Sequence, residues 1–406
     1  MDVEIRPIAP EEFEAFAIAD GSAFGFDINP DQLDDLRPIF EFERSLATFD
    51  GPEIVSTTGI FSFDLTVPGG ALPTAGVTWV SVKPTHRRRG LLAGMMRQQL
   101  SDVHDKGEPL AALWASESII YDRFGYGLAA EGVEVKIDRE RTAFAREMPA
   151  CGRTRLLSRE EALSTWPAVY DKALATQPGM YSRSEAWWKH HTLGARERSR
   201  SGFSGRFYVQ YEEEHRPLGY ARYRIKGDDR DGSPNGLLAI QELIATTDAA
   251  YAALWQYLFG VDLVSTITAR WRPVDEPLLW MLADPRRFVR RPQDALWLRL
   301  IDIPAALEGR RYAEEGRLVL DVRDKFCAWN EGRYELEAGP DGARCRLSDA
   351  EPDIVLDVAD LGAVYLGGAR LQTLRSAGRV EGDRETLRRA DAIFSWHPLP
   401  WCPEVF

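Results

Sequence analysis

Apolar positions along the chain follow two periods, and the switches between them mark the elements. Alternating or short continuous apolar runs at residues 2–8, 54–63 and 76–82 predict strands, the last two separated by the turn material VPGGALP. Pro10 with Glu11 and Glu12 opens a helix through Phe13, Phe16 and Ala17, with acids where the helix dipole favours them. After Gly90, the residues Leu91, Leu92, Met95, Met96, Leu100 and Val103 recur at helical spacing, and Lys106-Gly107 closes that helix. Residues 110–115 read as another strand, leading to a loop or short helix over 117–127.

The layout recurs once. Residues 206–211 and 218–224 read as two strands, 237–244 as a third, Thr246-Thr247-Asp248 as capping chemistry and 249–259 as a helix ending at Gly260. Where the first copy has HRRRG between strand and helix, the second has TTD, so only the first can hold a polyanionic cofactor. From about residue 295 strands (318–322, 333–336, 354–358) mix with helices near 358–366 and 384–394. The expectation is an α/β protein with mixed sheets in three regions, 1–150, 151–293 and 294–406.

A chain of 406 residues exceeds what one core usually organises, in keeping with several regions. The net charge of −13 repels phosphate backbones and attracts cations, so nucleic acid is not an expected partner and a cationic small molecule is, although acidic excess also serves plain solubility. No run of eighteen apolar residues spans a membrane, and the first residues lack the basic and apolar segments of a secretory signal. Cys151, Cys327, Cys345 and Cys402 are scattered, as reduced thiols of a cytoplasmic protein would be. His190 and His191 are adjacent and point to different faces, so no metal site is expected.

The sharpest chemistry lies in VSVKPTHRRRGLLAG, residues 80–94. A strand ends, Arg87, Arg88 and Arg89 follow, then Gly90, then the amphipathic helix. A helix N-terminus exposes unpaired amides and the positive end of its dipole, and arginines add forked donors, so a pyrophosphate fits there. A solvated basic patch is the bland alternative; the placement between strand and helix argues against it. No GxxxxGK[ST] occurs, and the GxGxxA at 125–130 follows YDRF rather than a strand, so neither competing nucleotide motif is supported.

V-x-V-x-P-x-x-R-R-R-G at 80–90 resembles motif A of the GNAT acetyltransferase superfamily. The longer stretches LPTAGVTWVSVKPTHRRRGLL and ALWASESIIYDRFGYG, with DALWLRLIDIPAALEGRRY, VYLGG and the end of the chain, resemble the enhanced intracellular survival (Eis) family of multi-acetylating N-acetyltransferases. The resemblance implies two tandem GNAT-like domains, the second without cofactor, followed by a sterol-carrier-like α+β domain, and a hexamer. It places Val80, Ser81 and Val82 on acetyl-CoA as co-substrate, Arg88, Arg89, Gly90, Leu91, Leu92 and Ala93 around the pyrophosphate beside Arg87, and Ser116 and Glu117 nearby. One departure is visible: the superfamily's R-x-x-G-x-G/A is interrupted at Leu92.

Acetyl transfer needs a proton for the departing thiolate, and Tyr121 and Tyr126 are both available. A phenol of pKa about 10 facing a thiol of about 8.5 leaves a deficit of roughly 2 kcal/mol, small enough for a positioned acid. Residue spacing does not choose between them; the resemblance assigns the acid to Tyr121. It assigns the base to the α-carboxylate of Phe406, in a tail, HPLPWCPEVF, stiffened by Pro398, Pro400 and Pro403 and anchored by Trp401 and the preceding Trp396, with Glu404 as the rival carboxylate. Phe24, Phe26, Asp27 and Trp79 are candidates for an acceptor pocket, aromatic and acidic groups suiting a polyamine or aminoglycoside. The expected activity is acetyl transfer from acetyl-CoA to primary amines; the competing reading is a non-catalytic acyl-CoA or lipid binding protein on a degenerate scaffold.

Overall fold

The strands of the hydrophobic pattern are present; most run longer than the pattern marks, while those expected at 2–8, 110–115 and 354–358 are shorter, at Val3–Arg6, Leu110–Trp114 and Ile354–Asp357. The computed structural model describes residues 3–28, 30–148, 151–194, 202–230 and 233–406, so the expected boundary at residue 150 falls outside them. The chain forms two compact units, Met1–Ala130 with Asp294–Pro400 and Val405–Phe406, and Glu131–Gln293 with Trp401–Glu404.

In the first stretch β1 (Val3–Arg6), α1 (Phe13–Phe24), α2 (Pro30–Leu36), β2 (Leu46–Asp50), β3 (Glu53–Val67), β4 (Gly70–Val82), α3 (Leu91–Asp105) and β5 (Leu110–Trp114) follow one another. The strands lie in the order β1-β2-β3-β4-β5, with β4 and β5 parallel. The segment VPGGALP is not a broad connection: β3 and β4 turn over at residues 68–69, and Val67 pairs with Gly70. Pro73 disguised this. It is tolerated because β5 starts pairing only at Thr74, so the missing N–H faces no partner strand. α1 buries Phe13, Phe16 and Ala17 against β3 and β4, and α3 buries Met95, Met96, Leu100 and Val103.

The middle stretch continues with β6 (Gly127–Asp138), β7 (Arg153–Leu157), α4 (Arg159–Leu174), β8 (Phe207–Glu213), β9 (Arg216–Lys226), the short pair β10 (Asp229–Arg230) and β11 (Ser233–Pro234), β12 (Gly236–Ala245), α5 (Asp248–Phe259), β13 (Val264–Arg272) and α6 (Leu278–Met281). Its sheet runs β6-β13-β12-β9-β8-β7. Antiparallel β9–β12, then α5, then β13 parallel to β12, repeats the plan of β3, β4, α3 and β5. Here the helix start is closed: Thr247 accepts from the Ala250 amide at 3.1 Å and Asp248 follows with a negative charge. The gap where β12 and β13 separate is spanned by Arg272, which donates to Leu243 O at 2.8 Å. The arginine-flanked, uncapped helix start of the first copy is not repeated here.

The last stretch begins with β14 (Val289–Leu300), whose residues Leu296 to Leu300 pair antiparallel with β5. The expected boundary between 293 and 294 therefore falls inside β14, whose second half rejoins the first sheet, a return invisible to local periodicity. There follow α7 (Ile303–Glu308), β15 (Gly316–Arg323), β16 (Gly332–Gly339), β17 (Gly342–Leu347), β18 (Ile354–Asp357), α8 (Val358–Tyr365), α9 (Leu371–Ser376), β19 (Val380–Glu381) and α10 (Arg384–Phe394), with a sheet ordered β17-β16-β15-β18-β19. Among the described residues no helix is long and apolar enough to cross a membrane.

Candidate active site

Pairing between β4 and β5 stops at Val77↔Leu113, yet β4 runs on to Val82. The two parallel strands therefore part, and the backbone of residues 78–82 faces an opening. On its other edge the register against β3 jumps from Thr57↔Ser81 to Gly59↔Thr78, a bulge with Trp79 at φ 54°. Thr57 Oγ1 donates to Trp79 O at 2.7 Å and lies 2.7 Å from Ser81 Oγ, so the bulge is held by side chains. Val80 and Val82 are half-buried and Ser81 is buried.

Beyond β4 a short turn (Pro84–His86) leads into the arginines. Arg87 Nη2 donates to Ala23 O at 3.0 Å and its Nε to Val82 O at 3.3 Å, fastening the turn to the end of α1. Arg87, Arg88, Arg89 and Gly90 are all exposed. Gly90 caps α3 with φ 82°, a left-handed conformation that favours glycine, and no side chain caps the helix there. The first amides of α3 have no acceptor within the helix and face outward with the positive end of its dipole. The residues fit a diphosphate. Leu92 and Ala93, where the superfamily pattern is interrupted, pack against the core cluster that includes Tyr121.

Ser116 and Glu117 are exposed at the end of β5, and two short turns carry Tyr121 and Tyr126. The phenol rings are 6.1 Å apart, edge to face. Burial pushes the Tyr121 hydroxyl up to about 12; the Ser116 hydroxyl opposes the shift and Glu117 adds to it. Tyr126 lies deeper, fully buried, with an unpartnered hydroxyl also pushed up by burial. Tyr121, at 4% exposure, keeps the remaining access. Its loop is clamped from behind by groups that local sequence did not flag. Arg299 of β14 donates to Phe124 O and pairs with Asp324 at 2.5 Å, while Arg379 pairs with Asp122 at 2.6 Å and also with Asp360. A Cβ on Gly125 would meet Arg299 Nη1 at 1.5 Å, which explains the first glycine of RFGYG.

Phe406 rests edge-on against Phe63 at 5.1 Å, and Phe63 in turn covers Gly76 of β4, one residue before the strands part. Phe24 and Phe26 stack at 6.3 Å, about half exposed, beside exposed Asp27. Trp79 is half-buried, with its ring against Phe13, Phe16 and Phe40. Glu404 is withdrawn from chemistry. In the second unit its carboxylate meets Arg183 at 3.1 Å and His191 at 3.5 Å and accepts from Trp187 and Thr192 at 3.1 Å, which holds it well below the usual carboxylate range despite burial. The rival base is a structural anchor. Glu404→Gln is expected to cost about 3 kcal/mol, because it leaves Arg183 and Arg222 buried with less opposing charge. The check is a lowered denaturation midpoint at neutral pH. The penalty should shrink as the pH falls below the ordinary carboxylate value toward the depressed native one, since the stability from a depressed pKa is complete above the unfolded value and lost on the way down to the folded one.

Parted parallel strands, a bulge on the first of them and an arginine-flanked helix start define a GNAT acetyltransferase. Residues 4–129 and 179–300 each match an acetyltransferase (GNAT) domain family, and residues 303–403 match a sterol carrier protein domain. An N-acetyltransferase of Streptomyces avermitilis is 42% identical over 373 residues, 91% of each chain. N-acetyltransferase Eis of Mycobacterium tuberculosis is 37% identical over 395 residues, 94% of this chain and 93% of the relative. The crystal structure of Eis1 from Mycobacterium abscessus superposes with a TM-score of 0.85 at 32% identity, covering 99% of this chain and 100% of that one. The chain belongs to the Eis family of N-acetyltransferases.

Proposed function

We propose that the protein moves an acetyl group from acetyl-CoA to one or several primary amines of a cationic small molecule such as a polyamine or aminoglycoside, with Tyr121 as acid and the Phe406 α-carboxylate as base. The observation that carries this is the open start of α3 at Gly90, flanked by Arg88 and Arg89 and adjoining the gap between β4 and β5. Acetyl-CoA supplies the thioester. Arg88, Arg89 and the amides of residues 91–93 would hold its diphosphate, and the unpaired edge of Val80, Ser81 and Val82 would receive its pantetheine arm. Ser116 and Glu117 border the same opening.

The stacked pair Phe24–Phe26 with Asp27 offers aromatic faces and a carboxylate to a cationic acceptor. The Phe406 carboxylate takes a proton from the attacking amine, directly or through water, as its N–C bond forms. Tyr121 gives its proton to the sulfur as the C–S bond breaks, and solvent exchange restores both groups. The Phe63–Gly76 contact supports this use of Phe406, since it sets the last residue beside the strand whose far end opens. Thiol release from acetyl-CoA with a panel of polyamines and aminoglycosides tests the activity; no release with any amine overturns it. Extending the chain beyond Phe406 by a short tag converts the carboxylate to an amide and is expected to lower kcat at least 10-fold. Unchanged turnover removes the carboxylate from the mechanism. Light scattering tests the hexamer that the family resemblance implies.

A further inference from the structure

The buried face of α1 is made by Phe13, Phe16, Ala17 and Asp20, positions a helix turns to one side. The last of these is a carboxyl group. Asp20 is 6% exposed, and its Oδ1 is buried without a hydrogen-bond partner. Burial pushes it up to about 6, opposed by the hydroxyls of Ser81 and then Thr57. Among the described residues no charged side chain acts on it; β3 presents Thr57 and β4 presents Ser81. A buried carboxyl with one oxygen unpartnered costs stability, so packing alone does not account for it.

Proton counting gives it a role. Thr57 has one hydroxyl proton, and a carbonyl only accepts, so that proton goes to Trp79 O. The Thr57–Ser81 link then uses the proton of Ser81. Neither hydroxyl has one left for Asp20, so a chain from Asp20 through Ser81 and Thr57 to the bulged carbonyl closes only when Asp20 supplies its own proton. Once ionised, Asp20 draws the Ser81 proton to itself, and the link that holds the bulge loses a donor.

We propose that Asp20 is a positioning residue for acetyl transfer: protonated, it holds the bulge at Trp79, Val80 and Ser81 in the form that receives the acetyl donor, and ionised, it releases it. This deepens the reading of that strand edge as the donor's seat and rests on it. The measurement is the dissociation constant of acetyl-CoA by calorimetry between about pH 5 and about pH 8, for wild type, Asp20→Asn and Thr57→Val. The donor's own phosphate titrates in this range, so the differences between proteins are what count. Relative to Asp20→Asn, whose amide donates to Ser81 at every pH, wild type should match at the acid end and weaken roughly five-fold above pH 6, the worth of one hydrogen bond. Thr57→Val, which cuts the chain, should show the weaker binding throughout. A merely structural Asp20 would leave the three curves parallel, and that result overturns the proposal; should Asp20→Asn not fold, a Thr57→Val curve parallel to wild type does so alone. Loss of acetyl-CoA binding at every pH in wild type overturns the cofactor reading itself, whereas pH-parallel binding overturns only the role of Asp20.

Discussion

Tyr121→Phe is expected to lower kcat about 100- to 1000-fold with little change in the KM for acetyl-CoA, because the acid proposed here acts only as the C–S bond breaks. The ground state argues for an acid that holds its proton tightly. With the phenol pushed up to about 12 and a free thiol near 8.5, transfer in the empty site would be uphill by roughly 5 kcal/mol. The same desolvation acts on the departing thiolate, raising its proton affinity as the bond stretches, so the mismatch narrows where the proton is needed. Tyr126→Phe is the control. Its hydroxyl is buried and unpartnered, so removing it should leave kcat within about 3-fold and cost no stability. Single-turnover measurements with saturating amine separate the two variants. Full activity in Tyr121→Phe would end its assignment, and a large loss in Tyr126→Phe would move the role to the deeper phenol.

The arginine-flanked helix start was legible because its signals are local: a strand ending at Pro84, three arginines, a glycine and a 3.6-residue apolar period are contiguous. The second copy was legible for the same reason, since Thr247 and Asp248 close a helix start in the sequence as they do in the fold. What stayed hidden depends on distant contacts. The return of β14 to β5 joins residues nearly two hundred positions apart, and Arg299 clamps the Tyr121 loop only because of that return. The packing of Trp79 against Phe13, Phe16 and Phe40 was likewise hidden, because it depends on a left-handed backbone at the bulge. Glu404 and the Phe406 carboxylate are two residues apart and chemically alike; burial among cations separates them. Asp20 left one readable sign, an acid at the fourth position of an otherwise apolar helical stripe.

Neutralising Arg88 and Arg89 together to alanine is expected to weaken acetyl-CoA binding at least 100-fold, from the loss of charge-assisted hydrogen bonds worth about 1.5 kcal/mol or more each. Both lie exposed at the start of α3, where salt screens them, so wild-type affinity should fall with ionic strength and the double variant should respond less. The decisive comparison uses acetyl-pantetheine, a donor without the diphosphate. If the arginines hold phosphate, the double variant should process this short donor as wild type does, however poorly, while losing its preference for the full one. Arg87→Ala should behave differently, because Arg87 ties the turn to Ala23 at the end of α1 and to Val82. Its removal loosens the framework beside the Phe24–Phe26 pair and should lower turnover with both donors alike. Should the double variant bind acetyl-CoA as tightly as wild type, the charge at the start of α3 would be only a solvated surface, and the donor would have to be held by the strand edge alone.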